Sequence, residues 1–212
     1  MKNLFSIAKV ILIFMLLFSV FSCKKNRTEP SFNINNPKGY AIIYSHHTAY
    51  PVPIIAVFNE ANKVSYGSIS TYGNSTFRVN NNDLILDDDG IDLIFKIQND
   101  KIISHSDNIK SAVLIKIPEE DQLLGRTYTG VYYNTNGTIL HPKFFYNFSS
   151  FGNKVDVGYD VGNTVRTETY TPMGNIAAFI QRNGVEFIIK MPDGSVISNY
   201  KDKNGSSYGI FK

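Results

Sequence analysis

Hydrophobic positions along the chain follow two different patterns. Residues 10–21 (VILIFMLLFSVF) form an apolar run diluted only by Ser19. Beyond residue 38 the apolar positions come in short stretches that alternate with polar ones. Ile91, Leu93, Phe95 and Ile97 alternate with Asp92, Ile94 and Lys96. Val185, Phe187, Ile189 and Met191 alternate in the same way with Glu186, Ile188 and Lys190. A period of two puts the first set of each on the core face of a strand and the second on its outer face. Similar patterning predicts strands over 40–45, 54–59, 63–69, 126–133, 143–149, 154–160, 165–171 and 175–181. No stretch after residue 22 sustains a helical period bounded by caps, so the body is predicted to be all-β.

Turn chemistry punctuates these strands. Asp89-Gly90 and Asn183-Gly184 occupy equivalent places and favour tight hairpin turns built on positive φ. Pro192-Asp193-Gly194 supplies a further turn, aligned with Gln98-Asn99-Asp100.

The chain also repeats itself. Asn62-Lys63-Val64 recurs as Asn153-Lys154-Val155, an offset of 91 at which Gly67 meets Gly158. At an offset of 94, residues 90–104 (GIDLIFKIQNDKIIS) lie over 184–198 (GVEFIIKMPDGSVIS) without a gap. Gly90/Gly184, Ile94/Ile188, Lys96/Lys190, Ile103/Ile197 and Ser104/Ser198 are identical there. Pro53 matches Pro142 at 89, and Lys116 matches Lys212 at 96. A drift in one direction is what small changes of turn length produce in a duplicated chain. Two duplicated units follow, 39–117 and 125–212, joined by a polar linker at 118–124. Each holds about eight short strands, enough for an antiparallel meander closed into a small barrel or sandwich. Ile94 and Ile188, apolar on the outer face of both units, hint at unit-to-unit contact.

The apolar run near the start has about 14 uncharged residues between Lys9 and Lys24, against roughly 20 for a spanning helix. Preceded by Lys2 and Lys9, it suits the core of a signal peptide. It ends at Cys23, the single cysteine of the chain. Val20-Phe21-Ser22-Cys23 resembles the lipobox of bacterial lipoproteins, with Phe21 bulkier than the small residue usual there. Ser22-Cys23-Lys24-Lys25 is similar to the start of small lipoproteins of the Bacteroidetes group. The resemblance implies removal of residues 1–22, attachment of diacylglycerol and fatty acids such as palmitate to Cys23, and anchoring to the outer membrane. Lys24-Lys25 in place of an acidic cluster favours a periplasm-facing position. Residues 23–38 then read as the acylated cysteine and a flexible tether, with two Pro and four Asn among residues 24–38.

Leu124-Gly125-Arg126-Thr127-Tyr128-Thr129-Gly130, at the head of the second unit, resembles the first strand of lipocalin-like domains in such lipoproteins. Tyr128 stands where lipocalins usually carry Trp. This likeness implies an up-and-down barrel.

Composition narrows the functional classes. The net charge of +3 falls to about +1 once Lys2 and Lys9 leave with the signal, and no basic stripe marks a nucleic-acid surface. Acylation of Cys23 would leave no thiol for a disulfide or a nucleophile. His46 and His47 are adjacent, so they point to opposite faces of a strand, and neither His105 nor His141 recurs in the other unit. They read as surface or loop histidines; no metal site and no cofactor are expected. Asp87-Asp88-Asp89-Gly90 lacks calcium-loop spacing and reads as a hairpin turn. Glu119-Glu120-Asp121 reads as a solvated charge run. Familiar catalytic motifs are missing, so no catalytic residue is named. Tyr128, Tyr132, Tyr133, Phe144, Phe145, Tyr146, Phe148, Phe151, Tyr159 and Tyr170 crowd the second unit, as strand formers or as a binding surface.

The chain is therefore expected to be a membrane-anchored, non-catalytic binding or interaction module for a small apolar ligand or an envelope protein. An envelope hydrolase acting on glycan or lipid, or a structural or inhibitory lipoprotein, is the alternative. A cavity of at least about 300 Å³ inside a barrel marks small-ligand binding. Converging carboxylates mark an enzyme, and filled interiors with an exposed aromatic patch mark a protein partner. The ligand-binding residues are not legible from the sequence.

Overall fold

The computed structural model describes residues 31–60, 62–88 and 90–212. Cys23, the apolar run before it and Asp89 lie outside the described residues. Among the described residues there are strands and no helix, arranged in two antiparallel sheets. The first holds β1 (Tyr40–His46), β2 (Pro53–Glu60), β3 (Lys63–Gly67), β4 (Tyr72–Asn80), β5 (Asp83–Asp88), β6 (Ile91–Gln98), β7 (Lys101–His105) and β8 (Ile109–Lys116). Its order, β7-β6-β5-β4-β3-β2-β1-β8, follows the chain. Pairing of β1 with β8 brings the sheet round into a nearly closed up-and-down barrel, open between β7 and β8.

The second sheet holds β9 (Thr127–Asn134), β10 (Ile139–Phe148), β11 (Lys154–Asp160), β12 (Asn163–Thr169), β13 (Thr171–Met173), β14 (Ala177–Gln181), β15 (Gly184–Lys190), β16 (Val196–Asp202) and β17 (Gly205–Phe211). Its order is β12-β11-β10-β9-β17-β16-β15-β14-β13. Here β9 and β17 make the closing pair. β12 and β13 form one path interrupted at Tyr170: the first part pairs with β11 and the last with β14. β4 divides its pairing in the same way, with residues 72–76 on β3 and 77–80 on β5. The two sheets repeat each other in strand order, with β12 and β13 together matching β4, but they open at different places: β16 pairs with β17, whereas β7 and β8 are not paired.

Three apolar cores hold this arrangement. One fills the first barrel with Ile42, Tyr44, Phe58, Leu84, Leu93 and Phe95. Another lies in the second, with Tyr146, Phe148, Val157, Ile188 and Phe211. The third lies between the barrels, where Ala41, Ile43, Ile55 and Val57 meet Met173, Ala177, Phe179, Phe187 and Ile189. Residues 32–212 thus make one compact body. Strands β1, β2, β14 and β15 bury both faces, which explains their near-continuous apolar sequences. Tyr72 stacks on Phe179 across the junction at a centroid separation of 4.0 Å. Gly67 permits the close approach, since a Cβ there would lie 2.4 Å from Met173 Sδ.

Burial of both faces also overturns one expectation. Phe187, Ile189 and Val185 point to the inter-barrel core, and Ile188 points into the barrel. The matching Leu93, Phe95 and Ile97 point into theirs. The ungapped alignment at 94 therefore lays inward positions on outward ones, the consequence of a one-residue slip in a period-two element. At the offset of 91 the facing is preserved: Val64 and Val155 both point inward. Ile94 is 40% exposed and makes no part of the junction, contrary to the hint from its recurrence.

Smaller corrections follow from local geometry. Gly90 has φ +82°, but neither Asn183 nor Gly184 adopts positive φ. Asn99, Asp100 and Gly194 do. Residues 32–38 are more than tether, because Phe32 and Ile34 pack on the first core and the Phe32 amide donates to Asp100 Oδ1 at 2.9 Å. The linker is likewise held: Leu123 is buried in the second barrel, and Asn175 Nδ2 donates to the Pro118 carbonyl at 2.9 Å. β4, β5, β7, β8, β16 and β17 fall outside the predicted strand windows. β4 and β17 are rich in Gly, Ser and Asn, so their alternation is weak.

Candidate ligand-binding cavity

Polarity enters the second barrel through Glu186. In the first barrel Leu93 on β6 lies opposite Leu86 on β5. The corresponding pairing in the second sets Glu186 on β15 opposite Ile180 on β14. A carboxylate only 2% exposed thus stands where the other unit has leucine. Leaving such a charge unpaired would cost several kcal/mol, so its neighbours must hold it.

They do so from four strands. Arg166 on β12 donates from Nη2 to Glu186 Oε2 at 2.6 Å. The Tyr146 hydroxyl on β10 donates to Oε1, and the Tyr132 hydroxyl on β9 reaches the same oxygen at 3.4 Å. Ser198 Oγ on β16 sits 2.9 Å from the Tyr132 hydroxyl and 2.8 Å from that of Tyr146. Burial, then the Glu186 charge, pushes both phenols far above their ordinary range, so they remain donors. Burial works against the charge on Arg166, but Glu186 and its other neighbours outweigh it and raise its pKa.

This cluster borders a cavity of about 390 Å³, lined by Glu186, Arg166 and Tyr132. Its walls are largely apolar and aromatic: Leu140 and Phe144 from β10, Val157 and Tyr159 from β11, Val165 from β12, and Tyr200 from β16. His141 completes the wall, its ring 4.8 Å from that of Tyr159. Antiparallel pairing places the turns after β9, β11, β14 and β16 at one end of the barrel. Leu140, Tyr159 and Val165 lie toward that end.

Before Tyr170, β12 has β11 on one side and no strand ladder on the other. Ion pairs bridge this seam. Beside Arg166–Glu186, Arg182 Nη1 donates to Glu168 Oε1 at 2.9 Å, and Arg166 Nη1 lies 3.8 Å from the same oxygen. A smaller pocket of about 90 Å³ adjoins, lined by Arg166, Arg182, Glu186 and Tyr200.

Of the residues singled out in the sequence, His46 lies with Nδ1 3.1 Å from the Asn108 carbonyl and Nε2 3.8 Å from Asp88. His47 is exposed, and His105 Nδ1 lies 3.2 Å from the Ser106 carbonyl. His141 departs from the surface-or-loop reading, since it stands on β10 in the cavity wall. Among the described residues, no three His, Cys, Asp or Glu side chains gather as a metal site. Asp87 Oδ1 accepts from the Gly90 amide at 2.9 Å, as a turn residue would. Glu119 and Glu120 are exposed, while Asp121 Oδ1 accepts from the Leu123 amide at 2.8 Å. Tyr132, Phe144 and Tyr159 line the cavity, and Tyr146 packs against Phe144; Tyr128, Phe148 and Tyr170 pack in the barrel core.

Arg166, Glu186 and Ser198 were hidden from sequence reasoning. The available signal was Glu186 itself, an acid set between apolar neighbours in the strand GVEFIIK, but a period-two reading assigns it to solvent. No protein family model matches the chain, and no curated protein is similar to it in sequence.

Proposed function

We propose that the second barrel binds a small amphipathic molecule, and that the chain acts as a non-catalytic lipoprotein module. Anchored through Cys23 to the outer membrane, it would face the periplasm. The cavity supports the binding reading most directly. Its volume of about 390 Å³ falls within the roughly 300–1,000 Å³ typical of small-molecule sites, with apolar walls and a few convergent polar groups. An apolar body fits among Leu140, Phe144, Val157 and Val165, with its polar end toward Arg166 and Tyr132. Arg166 has five N–H donors, more than Glu186 takes up, so an acceptor such as a carboxylate or carbonyl suits that end. Glu168 and Glu186 both lean on Arg166, which favours a binding module over a hydrolase.

Fluorescence titration with anilinonaphthalene sulfonate, which joins apolar rings to an anionic group, tests the cavity. Saturable binding to one site, displaced by lauric acid and weakened by Arg166→Met, is expected. Absence of a saturable site contradicts the reading. Labelled fatty-acid feeding tests the anchor: the natural chain should take up label and Cys23→Ser should not. Label in that variant would remove the anchoring argument.

A further inference from the structure

We propose that the rim of this cavity is a membrane-contact surface, seated in the outer acyl region of a lipid bilayer. Ile139 and Leu140 open β10, Tyr159 lies at the end of β11, Val161 sits in the turn after it, and Val165 follows on β12. These five side chains are between 44% and 65% exposed. A single exposed apolar residue is ordinary, but a group at a cavity mouth marks an interaction site. β10, β11 and β12 are neighbours in the sheet, so the five share one end of one barrel wall.

The surface is continuous with the cavity. Leu140, Tyr159 and Val165 line it, and Tyr159 with Val161 also lines an adjoining groove beside Phe144 and Lys143. Tyr159 presents a ring with a polar tip, and exposed Lys143 has a long stem, both suited to the boundary between acyl chains and water. The anchoring reading supplies the bilayer as the occupant. Residues 24–31 separate Cys23 from Phe32, where packing on the body begins. Fully extended, this leash spans about 30 Å, so an acylated Cys23 confines the body to the lipid surface. An amphipathic ligand could then pass between bilayer and cavity without crossing water. The surface draws on the anchoring reading for its proximity to lipid, and on no particular ligand.

The chain contains no tryptophan, so a single introduced indole reports without background. Full-length acylated protein would be reconstituted in phosphatidylethanolamine–phosphatidylglycerol vesicles carrying brominated acyl chains. Ile139→Trp and Val161→Trp would be compared with Ile103→Trp, which is 55% exposed on the first barrel. The rim indoles should emit at shorter wavelength and be quenched about threefold more strongly than the control, as for side chains entering the acyl boundary. Adding Val165→Phe, which fills the cavity mouth, should leave that quenching in place. Equal emission and quenching at all three positions would overturn the proposal. Quenching that disappears with Val165→Phe would also overturn it, because the bromine would then be reporting a lipid held in the cavity. A failure of this kind is separable from loss of anilinonaphthalene sulfonate binding, which addresses the cavity alone.

Discussion

Arg166 Nη2 lies 2.6 Å from Glu186 Oε2, across a stretch of the second barrel that no backbone ladder closes. β12 and β15 are not neighbours in the sheet, so this pair ties together strands that hydrogen bonding leaves apart. The pair is also the polar edge of the cavity. Its two roles make a substitution there informative about both fold and binding.

Removing one partner should be far worse than removing both. Arg166→Met leaves the Glu186 carboxylate uncompensated in the interior, a loss of about 3–5 kcal/mol. Combined with Glu186→Leu, the cost should fall short of the sum of the single changes by at least about 1 kcal/mol. Urea unfolding of the four proteins checks this. Strict additivity would mean that the seam is held by something else.

The tyrosines around Glu186 should rank by geometry. Tyr146→Phe removes the shortest hydroxyl contact to a buried carboxylate and should cost about 1.5–3 kcal/mol, as for hydrogen bonds to charged groups. Tyr132→Phe should cost less, because its contact with the same oxygen is 3.4 Å. The same unfolding experiment ranks the two, and a reversed order would contradict the arrangement.

Stability should fall at alkaline pH. Burial, followed by Asp121, pushes Tyr170 up to about 12, and the Tyr132 and Tyr146 phenols are raised further. In the unfolded chain these groups lose their protons near pH 10. Above that pH the unfolded state binds fewer protons than the folded one, so stability decreases as pH rises. Their contribution is fully present below pH ~10 and is lost progressively toward the folded-state values. Thermal midpoints recorded from neutral to alkaline pH should bend downward above about pH 10 and recover part of the loss in Tyr146→Phe. A flat profile would contradict the burial of these hydroxyls.

The third core should make the two barrels unfold together. Phe187→Ala opens a cavity between them and should cost about 3–5 kcal/mol. The natural body should show one cooperative transition, with circular dichroism and tyrosine fluorescence coincident. Two separated transitions in the natural protein would contradict a shared core.

Much of the fold was legible because the turns and the period-two stretches report local backbone needs. Asn99-Asp100 and Gly194 sit at positive φ where turn chemistry placed them, and 154–160 matches β11. Strand facing was not legible in β15, where Phe187 and Ile188 are both fully buried on opposite faces. A strand between two cores carries no contrast between inside and outside. The cavity was hidden for the same reason. Only the pairing of Glu186 opposite Ile180 shows that the acid faces inward, and pairing is a long-range property. Arg166 is no clearer, since its strand, NTVRTET, reads as exposed throughout. The aromatic crowding did mark the second unit, but Tyr132 and Phe144 at the cavity look no different in sequence from Tyr128 and Phe148 in the core.

Methyl-resolved NMR during titration with lauric acid tests the central claim most directly. Leu140, Val157 and Val165 should shift in a saturable manner, while Ile42, Leu84 and Leu93 in the first barrel stay in place. Saturable shifts confined to the first barrel, or shifts in neither, would contradict a ligand site in the second.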